Sequence, residues 1–538
     1  MSTSVPIPSG VDGRSRRRLA SAPSRALAGA CALLLVAAGL RIWQAARHRL
    51  WLDELYTTTL IDTPSLSHVW SGALQGADGN PPLYLSLSWA LTHALPGAPE
   101  AVLRTANLVV LSVAALLLYR IGRRVADPAS VVAGLTMLCG VDGMVGYALL
   151  EVRTYALYLA LVVGTLWATL GVVDRPSRGR VAVLAGVGVL ATLSHSFGGF
   201  YVLTTLAAAG LVAVVDRDRH LVLALAAAAL PAGATLAGWI ALSLAAQLAV
   251  ATPYGWIPVP DAMELLVALT GSLLLTPFLG VGLVCAAVLR PPSVAGLLRC
   301  CAERRDIAVV VAALSGFAAL TAAGWVGSRL ITPFFVPRYF IPNVAVAALL
   351  VVAGLAALRR NVGGGLSAVA VVVCIASGVG KIAVDPGEAL GAIPCSDAAG
   401  RFLEEGFARD GLPVVAESPD AWLVRARYAP DQAILYPLDW QVVVRFPFRA
   451  RNNAMDFHIM EILHGWAAPG SALATGVLAT EDIVARHRHL LVLDEEARSW
   501  FTQLRATHPV SARLLREGPG CRLWDVTLGG EAPGGSAG

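Results

Sequence analysis

The sequence predicts a polytopic α-helical membrane protein with about eleven transmembrane helices and a C-terminal external α/β domain. Three observations predict it. The chain is 56% hydrophobic and 14% charged, with a mean hydropathy of +0.65, whereas soluble domains carry roughly 25% charge. Apolar runs of near-spanning length recur from residue 26 to residue 383. Arginines gather in six short loops between those runs: Arg14 to Arg18, Arg120 to Arg124, Arg175 to Arg180, Arg217 to Arg219, Arg299 to Arg305 and Arg359-Arg360. Counting spans puts all six loops on one side, which the positive-inside rule makes cytoplasmic. The net charge of +5 therefore reads as topology rather than nucleic-acid binding.

Residues 1–25, rich in Ser, Pro and Gly, read as a disordered cytoplasmic tail. Arg14 to Arg18 ahead of the apolar run from Leu27 to Leu40 could pass for a signal peptide. Its near-spanning length, with many spans following, makes it an uncleaved signal anchor instead. Expected spans lie near 26–45, 103–122, 129–147, 154–173, 181–195, 197–215, 221–243, 263–289, 307–327, 340–358 and 364–383. The fifth is short and meets the sixth at Ser194-His195-Ser196. Residues 26–383 thus form one membrane domain. This count turns Asp53-Glu54, residues 80–84, Glu151, His195, Tyr254 to Trp256 and Arg338-Tyr339 to the external side. After Lys381 charge rises and Pro and Gly punctuate shorter apolar runs, so residues 384–528 read as one external soluble domain. Short strands at Pro413 to Ala416, Gln441 to Val444 and Leu490 to Leu493 alternate with helices at Ala398 to Ala408 and Glu495 to Leu504, an α/β pattern. Residues 529–538 read as a loose tail. Eight cysteines show no metal-ligand spacing. Cys300-Cys301 falls in a cytoplasmic loop as reduced thiols, while Cys395 and Cys521 can pair if the C-terminal domain occupies an oxidising compartment.

Four stretches carry candidate chemistry, each with a plainer alternative. Trp51-Leu52-Asp53-Glu54 sets an acidic pair directly after the first span. Most such pairs are merely solvated, yet a carboxylate at headgroup height could also act as a general base on a hydroxyl. Asn80-Pro81-Pro82-Leu83-Tyr84 offers Asn80 as the cap of a proline-started helix. Leu83, Leu85, Leu87, Trp89 and Leu91 make that helix apolar but too short to span, suited to the interface. Glu151-Val152-Arg153-Thr154-Tyr155 opens the fourth span and alone reads as a snorkelling cluster. Pro337-Arg338-Tyr339 precedes a late span. Such an arginine meets bulk headgroups or holds a specific phosphate through paired hydrogen bonds. Asp142, in or near a span, is a second acidic candidate because intramembrane carboxylates are costly. His195 is a lone histidine, more often structural than catalytic, and His487-Arg488-His489 lacks partners for a metal. No Gly-rich phosphate loop is present, which disfavours a nucleotide sugar.

Together these stretches resemble the GT-C glycosyltransferases that use polyprenyl-phosphate sugars, the group of protein O-mannosyltransferases and lipid A aminoarabinose transferases (family 39-like). The resemblance covers about residues 25–360. It rests on the acidic pair, the PPLY-like turn, an E-x-R-x-Y stretch at Glu151 to Tyr155 and a P-x-F-x-x-R-Y stretch at Pro333 to Tyr339. Arg104 and His195 also match recurrent residues, whereas Asp142-Gly143 departs from the proline-containing apolar sequence expected there. The resemblance implies a hexosyl- or pentosyltransferase of the cell envelope in the plasma membrane, with an inverting mechanism. It implies Asp53 as the base, Glu54 as a second catalytic candidate, and donor or substrate contacts from Arg338, Tyr339, Arg104, Glu151, Arg153, Tyr155, His195, Pro82 and Tyr84. The implied partners are a polyprenyl-phosphate sugar, a glycan, lipid or protein acceptor, and membrane lipids. A divalent metal could neutralise the phosphate, though no ligand set demands one. The competing class is a polytopic lipid or polysaccharide transporter or flippase. Related halves and broken helices meeting at mid-membrane would mark it, whereas here the polar residues gather at one surface.

Overall fold

Short connections between long apolar helices force neighbouring helices to run antiparallel, and this places the site. The structure is a computed structural model that describes residues 36, 38–40, 42–43, 49–141, 143–244, 257–271, 301–362, 395–397, 400–438, 453–495, 500–518 and 520–529. Three short helices come first: α1 (Leu52–Ile61), α2 (Leu66–Gln75) and α3 (Leu83–Ala94). Longer elements follow: α4 (Pro99–Gly122), α5 (Pro128–Val141), α6 (Gly143–Leu150), α7 (Tyr155–Asp174), α8 (Arg178–Ser194), α9 (Gly198–Val215) and α10 (Arg219–Trp239). After them come α11 (Ala262–Thr270), α12 (Arg305–Leu330) and α13 (Asn343–Val362).

Among the described residues five helices are long and apolar enough to cross a bilayer: α4, α7, α9, α10 with its extension to Ser243, and α12. The chain is an integral membrane protein. Helix α7 is apolar all round and largely buried, packed by α4, α8, α9 and α12, as a central bundle helix should be. The run expected to span 129–147 is helical over Pro128–Val141 and Gly143–Leu150; Asp142 lies outside the described residues, as do Tyr254 to Trp256. Most of 26–45, all of 364–383 and residues 272–289 of the run expected at 263–289 lie outside them too. The fifth expected span is α8, of 17 residues, closed by His195 in extended conformation. Its connection to α9 needs Gly198, because a β-carbon there would overlap the Ala191 carbonyl oxygen.

The two ends of the bundle differ in chemistry. At one end Arg124 bridges Asp174 and Asp306, and Arg305 bridges Asp216 and Asp218, which ties the ends of α4, α7, α9, α10 and α12 together at the arginine-rich loops. The opposite end carries α1, α2 and α3 and the residues singled out above. Helix α3 begins at Leu83 with Pro82 as its cap, and Asn80 does not cap it. The reason is Asp78, whose Oδ1 accepts from both the Asn80 backbone N–H and its Nδ2, each at 2.9 Å. Tyr84, Leu85 and Ser88 are buried against protein while Leu87 faces outward, so α3 serves both packing and surface.

The C-terminal residues form a mixed six-stranded sheet in the order β3-β2-β1-β4-β6-β5. Its strands are β1 (Val414–Ala416), β2 (Ile434–Pro437), β3 (Val477–Leu478), β4 (His489–Glu495), β5 (Val510–Gly518) and β6 (Cys521–Leu528). The first four are mutually parallel neighbours, with Val414 opposite Ile434 and Leu491, and Tyr436 opposite Val477. Parallel pairing requires crossovers, supplied by α14 (Pro419–Tyr428) after β1, α15 (Asn453–Gly465) and α16 (Ala472–Gly476) after β2, and α17 (Thr480–Arg486) after β3. The β5–β6 hairpin closes the other edge, β6 pairing antiparallel with β4. A disulfide joins Cys395 to Cys521, with Cα atoms 5.3 Å apart.

Two helix expectations fail here. Residues 400–407 are turns, followed by a short 3₁₀ turn at Ala408–Asp410. The disulfide, the Ser396–Phe402 bridge and the buried pair of Glu404 with Arg425 hold them out of a helix. Glu495 does not start a helix either: it ends β4 opposite Cys521, while α18 covers Trp500–Thr507 and residues 496–499 lie outside the described residues. Gln441 to Val444 lie outside the described residues.

This C-terminal unit packs onto α1, α2 and α3. Leu50, Leu55, Leu60 and Val69 share one apolar core with Trp422, Met460 and Leu463. Polar contacts frame it: the Leu50 N–H donates to Tyr428 Oη at 3.0 Å, Tyr56 Oη donates to Asp456 Oδ1 at 3.3 Å, and Arg427 pairs with Glu100. The sheet therefore roofs the end of the bundle that holds the candidate site.

Candidate active site

Helix α1 sets the geometry. Its first turn presents Asp53 and Glu54 about 100° apart around the axis, so the two adjacent carboxylates enter different surroundings. Glu54 turns inward and is fully buried. Its Oε1 accepts from the Val152 N–H at 2.8 Å and lies 3.6 Å from Arg104 Nη2, and its Oε2 accepts from the Trp51 N–H at 3.2 Å. Burial raises its pKa above the usual carboxylate range, opposed by the Val152 N–H, Arg104 and the Trp51 N–H. Arg104 Nε donates to the Leu150 carbonyl at 2.7 Å, and Asn107 Nδ2 donates to the Glu151 carbonyl at 2.7 Å. These bonds hold the 150–152 turn that Glu54 caps from the other side.

Glu151 is also buried and accepts from the Trp51 indole N–H. Its carboxyl pKa lies well above the ordinary value, through burial first and then the charge of Glu54. Burial disfavours the charged form of such a carboxyl. Glu54 and Glu151 thus sit on either side of Trp51, facing inward.

Asp53 turns the other way. Its side chain is 27% exposed, and its Oδ2 lies 3.3 Å from Arg338 Nη2, an ion pair spanning 285 residues of sequence. The arginine comes from the 3₁₀ turn Pro337–Phe340 ahead of α13, and its guanidinium packs 5.3 Å from the Trp51 ring and 5.8 Å from the Tyr339 ring. Arg153 approaches α1 from the α6–α7 connection. Its Nη1 donates to the Asp53 carbonyl at 3.2 Å and to Thr57 Oγ1 at 2.8 Å.

Beneath these charges lies an aromatic layer. His195 stacks on Tyr158 at 4.4 Å and lies 5.5 Å from Tyr339 and 6.0 Å from Tyr155. Its Nδ1 accepts from the Phe197 N–H at 3.1 Å, which puts the proton of the neutral ring on Nε2. Burial, then Arg153 and Arg338, push its pKa down to about 3. Among the described residues Nε2 meets no hydrogen-bond partner.

The structure brings together Asp53, Glu54, Arg104, Glu151, Arg153, Tyr155, His195, Arg338 and Tyr339 in one cluster at the roofed end. Pro82 and Tyr84 stand one step away, at the start of α3 behind Asp78. Sequence reasoning missed Asp78, which is buried and pairs with Arg153 at 2.8 Å, and it missed the bridging role of Trp51. The signal for Asp78 was the acidic residue two positions before Asn80. The three carboxyls near Trp51 face different partners and offer no shared set of ligands for a metal, so no step is assigned to one. Among the described residues the metal-sized grouping is Cys395, Glu495 and Cys521, whose two sulfurs are joined to each other.

No protein-family model and no curated protein matches the chain. Solved structures do. ArnT from Cupriavidus metallidurans bound to undecaprenyl phosphate aligns over 92% of this chain and 97% of that one, at 12% identity and a TM-score of 0.51. The same protein in the apo state aligns over 93% and 98%, at 13% identity and a TM-score of 0.49. The apo Archaeoglobus fulgidus oligosaccharyltransferase aligns over 87% and 69%, at 12% identity and a TM-score of 0.43. The undecaprenyl phosphate complex carries the comparison: the chain shares the fold of that protein over 92% of its own length.

Proposed function

We propose that this chain is an inverting membrane glycosyltransferase. It would move a sugar from a polyprenyl-phosphate donor to an acceptor hydroxyl, on the external face, with Asp53 as general base. The ion pair between Asp53 and Arg338 carries this reading. It sets a partly exposed carboxylate 3.3 Å from a guanidinium, next to two carboxyls that are buried in the protein. That is the charge pattern of a displacement at an anomeric carbon: a base for the incoming hydroxyl, and a cation for the phosphate that leaves. The fold shared with a protein solved with undecaprenyl phosphate supports the donor class.

In the proposed reaction the acceptor oxygen attacks the anomeric carbon as its proton passes to Asp53. The bond from that carbon to the phosphate oxygen breaks, and the lipid phosphate departs against Arg338. One displacement inverts the anomeric configuration, with no covalent glycosyl-enzyme. His195 and Tyr155 are buried beneath the Asp53–Arg338 pair, and Tyr339 beside Arg338 is the ring nearest the place a sugar would take. The sheet above α1, α2 and α3 would guide the acceptor.

The test supplies purified protein with radiolabelled undecaprenyl-phosphate monosaccharides, one at a time, and determines the configuration of the product. Transfer with inversion is the expected result. Retention, or transfer from a nucleotide sugar alone, would overturn it. The external placement is tested separately by reporter fusions at Asp216, in the arginine-rich end, and Asp397, beside the C-terminal sheet. They should report opposite compartments, Asp216 inside and Asp397 outside; a shared compartment would put the site on the wrong side.

A further inference from the structure

The Asp53 backbone is held as deliberately as its side chain. Arg153 reaches two segments at once. Besides the Asp53 carbonyl and Thr57 Oγ1 on α1, its Nη1 donates to Asp78 Oδ2 at 2.8 Å and its Nη2 to Asp78 Oδ1 at 3.3 Å. The side chains of Arg153 and Asp78 are only 11% and 6% exposed. Asp78 is itself fixed by Asn80, whose backbone N–H and Nδ2 both donate to Oδ1.

From this geometry we propose that Asp78 is a positioning residue for the Asp53 base, acting through Arg153. The inference rests on the reading of Asp53 given above. A guanidinium is a rigid planar fork, so a carboxylate gripping two of its nitrogens fixes the direction of the rest. With Asp78 in place, Arg153 is aimed at the carbonyl of Asp53 and at Thr57, and α1 is locked at its first turn. Without Asp78, a buried positive charge is left to seek another anion. The Asp53 carboxylate is on the same turn, and a base drawn to a second arginine is displaced from the acceptor. Asp78 therefore keeps Arg153 on the backbone of Asp53 and leaves the carboxylate to Arg338 and the acceptor.

The test removes both charges at once, Asp78→Asn with Arg153→Met, so that no unpaired ion is buried and the protein folds. Three quantities are read: kcat, the Kd for undecaprenyl phosphate, and amide exchange over residues 49–62. We expect kcat to fall about 10- to 100-fold, the range a small misplacement of a catalytic group produces. The Kd should stay within about twofold, and exchange should speed up in α1 but not in α4 or α7. A kcat within about twofold of wild type would overturn the proposal. So would parallel loss of lipid binding and of protection throughout the bundle, since that marks a merely structural role. If wild-type protein binds no undecaprenyl phosphate, the reading of the site fails instead, and the exchange of α1 still decides whether the Asp78–Arg153 clamp holds that helix.

Discussion

Replacing Asp53 with asparagine should lower transfer by at least about 100-fold while leaving the protein folded and inserted. Asparagine keeps the size of the side chain and can still accept from Arg338 through its amide oxygen, but it takes no proton. The side chain is 27% exposed and its neighbour Glu54 is anchored through its own partners, so little packing is disturbed. Loss of the negative charge also frees Arg338 from its ion pair, and undecaprenyl phosphate should bind at least as tightly as to wild type. The check is turnover of a labelled donor beside equilibrium lipid binding on the same preparation. Near-normal turnover would remove Asp53 from the mechanism.

The neighbouring carboxyls would then be the candidates, and the geometry argues against both. Glu54 accepts two backbone N–H groups and faces Arg104 in a dry setting. Glu151 is raised well above the ordinary carboxyl range and receives the Trp51 indole N–H. A catalytic base must reach the proton it takes, and neither faces the half-exposed side where Asp53 meets Arg338. Their role follows from their partners. Glu54 caps the 150–152 turn, Glu151 anchors Trp51, and Trp51 lies under the guanidinium of Arg338.

Much of this arrangement was legible in the sequence, because hydropathy and loop charge follow physical rules that need no neighbours. Arg124 and Arg305 fall at one end of the helices, and Glu151, His195 and Arg338 at the other, as counting spans expects. What the sequence could not reveal is which charged residues are dry. Asp53 and Glu54 are adjacent and chemically alike. Only the turn of α1 against Val152 and Arg104 separates an accessible carboxylate from a buried one. Asp78 was hidden for the opposite reason, since Gly76-Ala77-Asp78-Gly79-Asn80 looks like a solvated turn. Its partner Arg153 lies 75 residues further on. The helix start differs too: Asn80 is tied to Asp78 through its backbone N–H and Nδ2, and Pro82 stands at the cap. In the C-terminal domain, Ala398 to Ala408 has helical composition but is overruled by a disulfide to Cys521 and by the pairing of Glu404 with Arg425. Such tertiary ties leave no local trace.

Substitution of Arg338 should separate the two terms that a phosphate site draws from arginine. Arg338→Lys keeps the positive charge but replaces a planar fork by a single ammonium, so paired hydrogen bonds to a phosphate are lost. A charge-assisted hydrogen bond contributes roughly 1.5–3 kcal/mol, so the Kd for undecaprenyl phosphate should rise about tenfold in this variant. Arg338→Ala removes the charge as well. Its Kd should rise by about 100-fold or more, and kcat should fall with it, because the leaving phosphate loses its counter-charge. The alanine variant also removes the Asp53 contact, so its kcat should fall further than that of the lysine variant. Lipid binding to wild type, Arg338→Lys and Arg338→Ala, measured at one salt concentration, decides the matter. Equal affinity in all three proteins would mean that this arginine meets only bulk headgroups. The 3.3 Å contact with Asp53 would then be an ion pair with no part in recognising the donor.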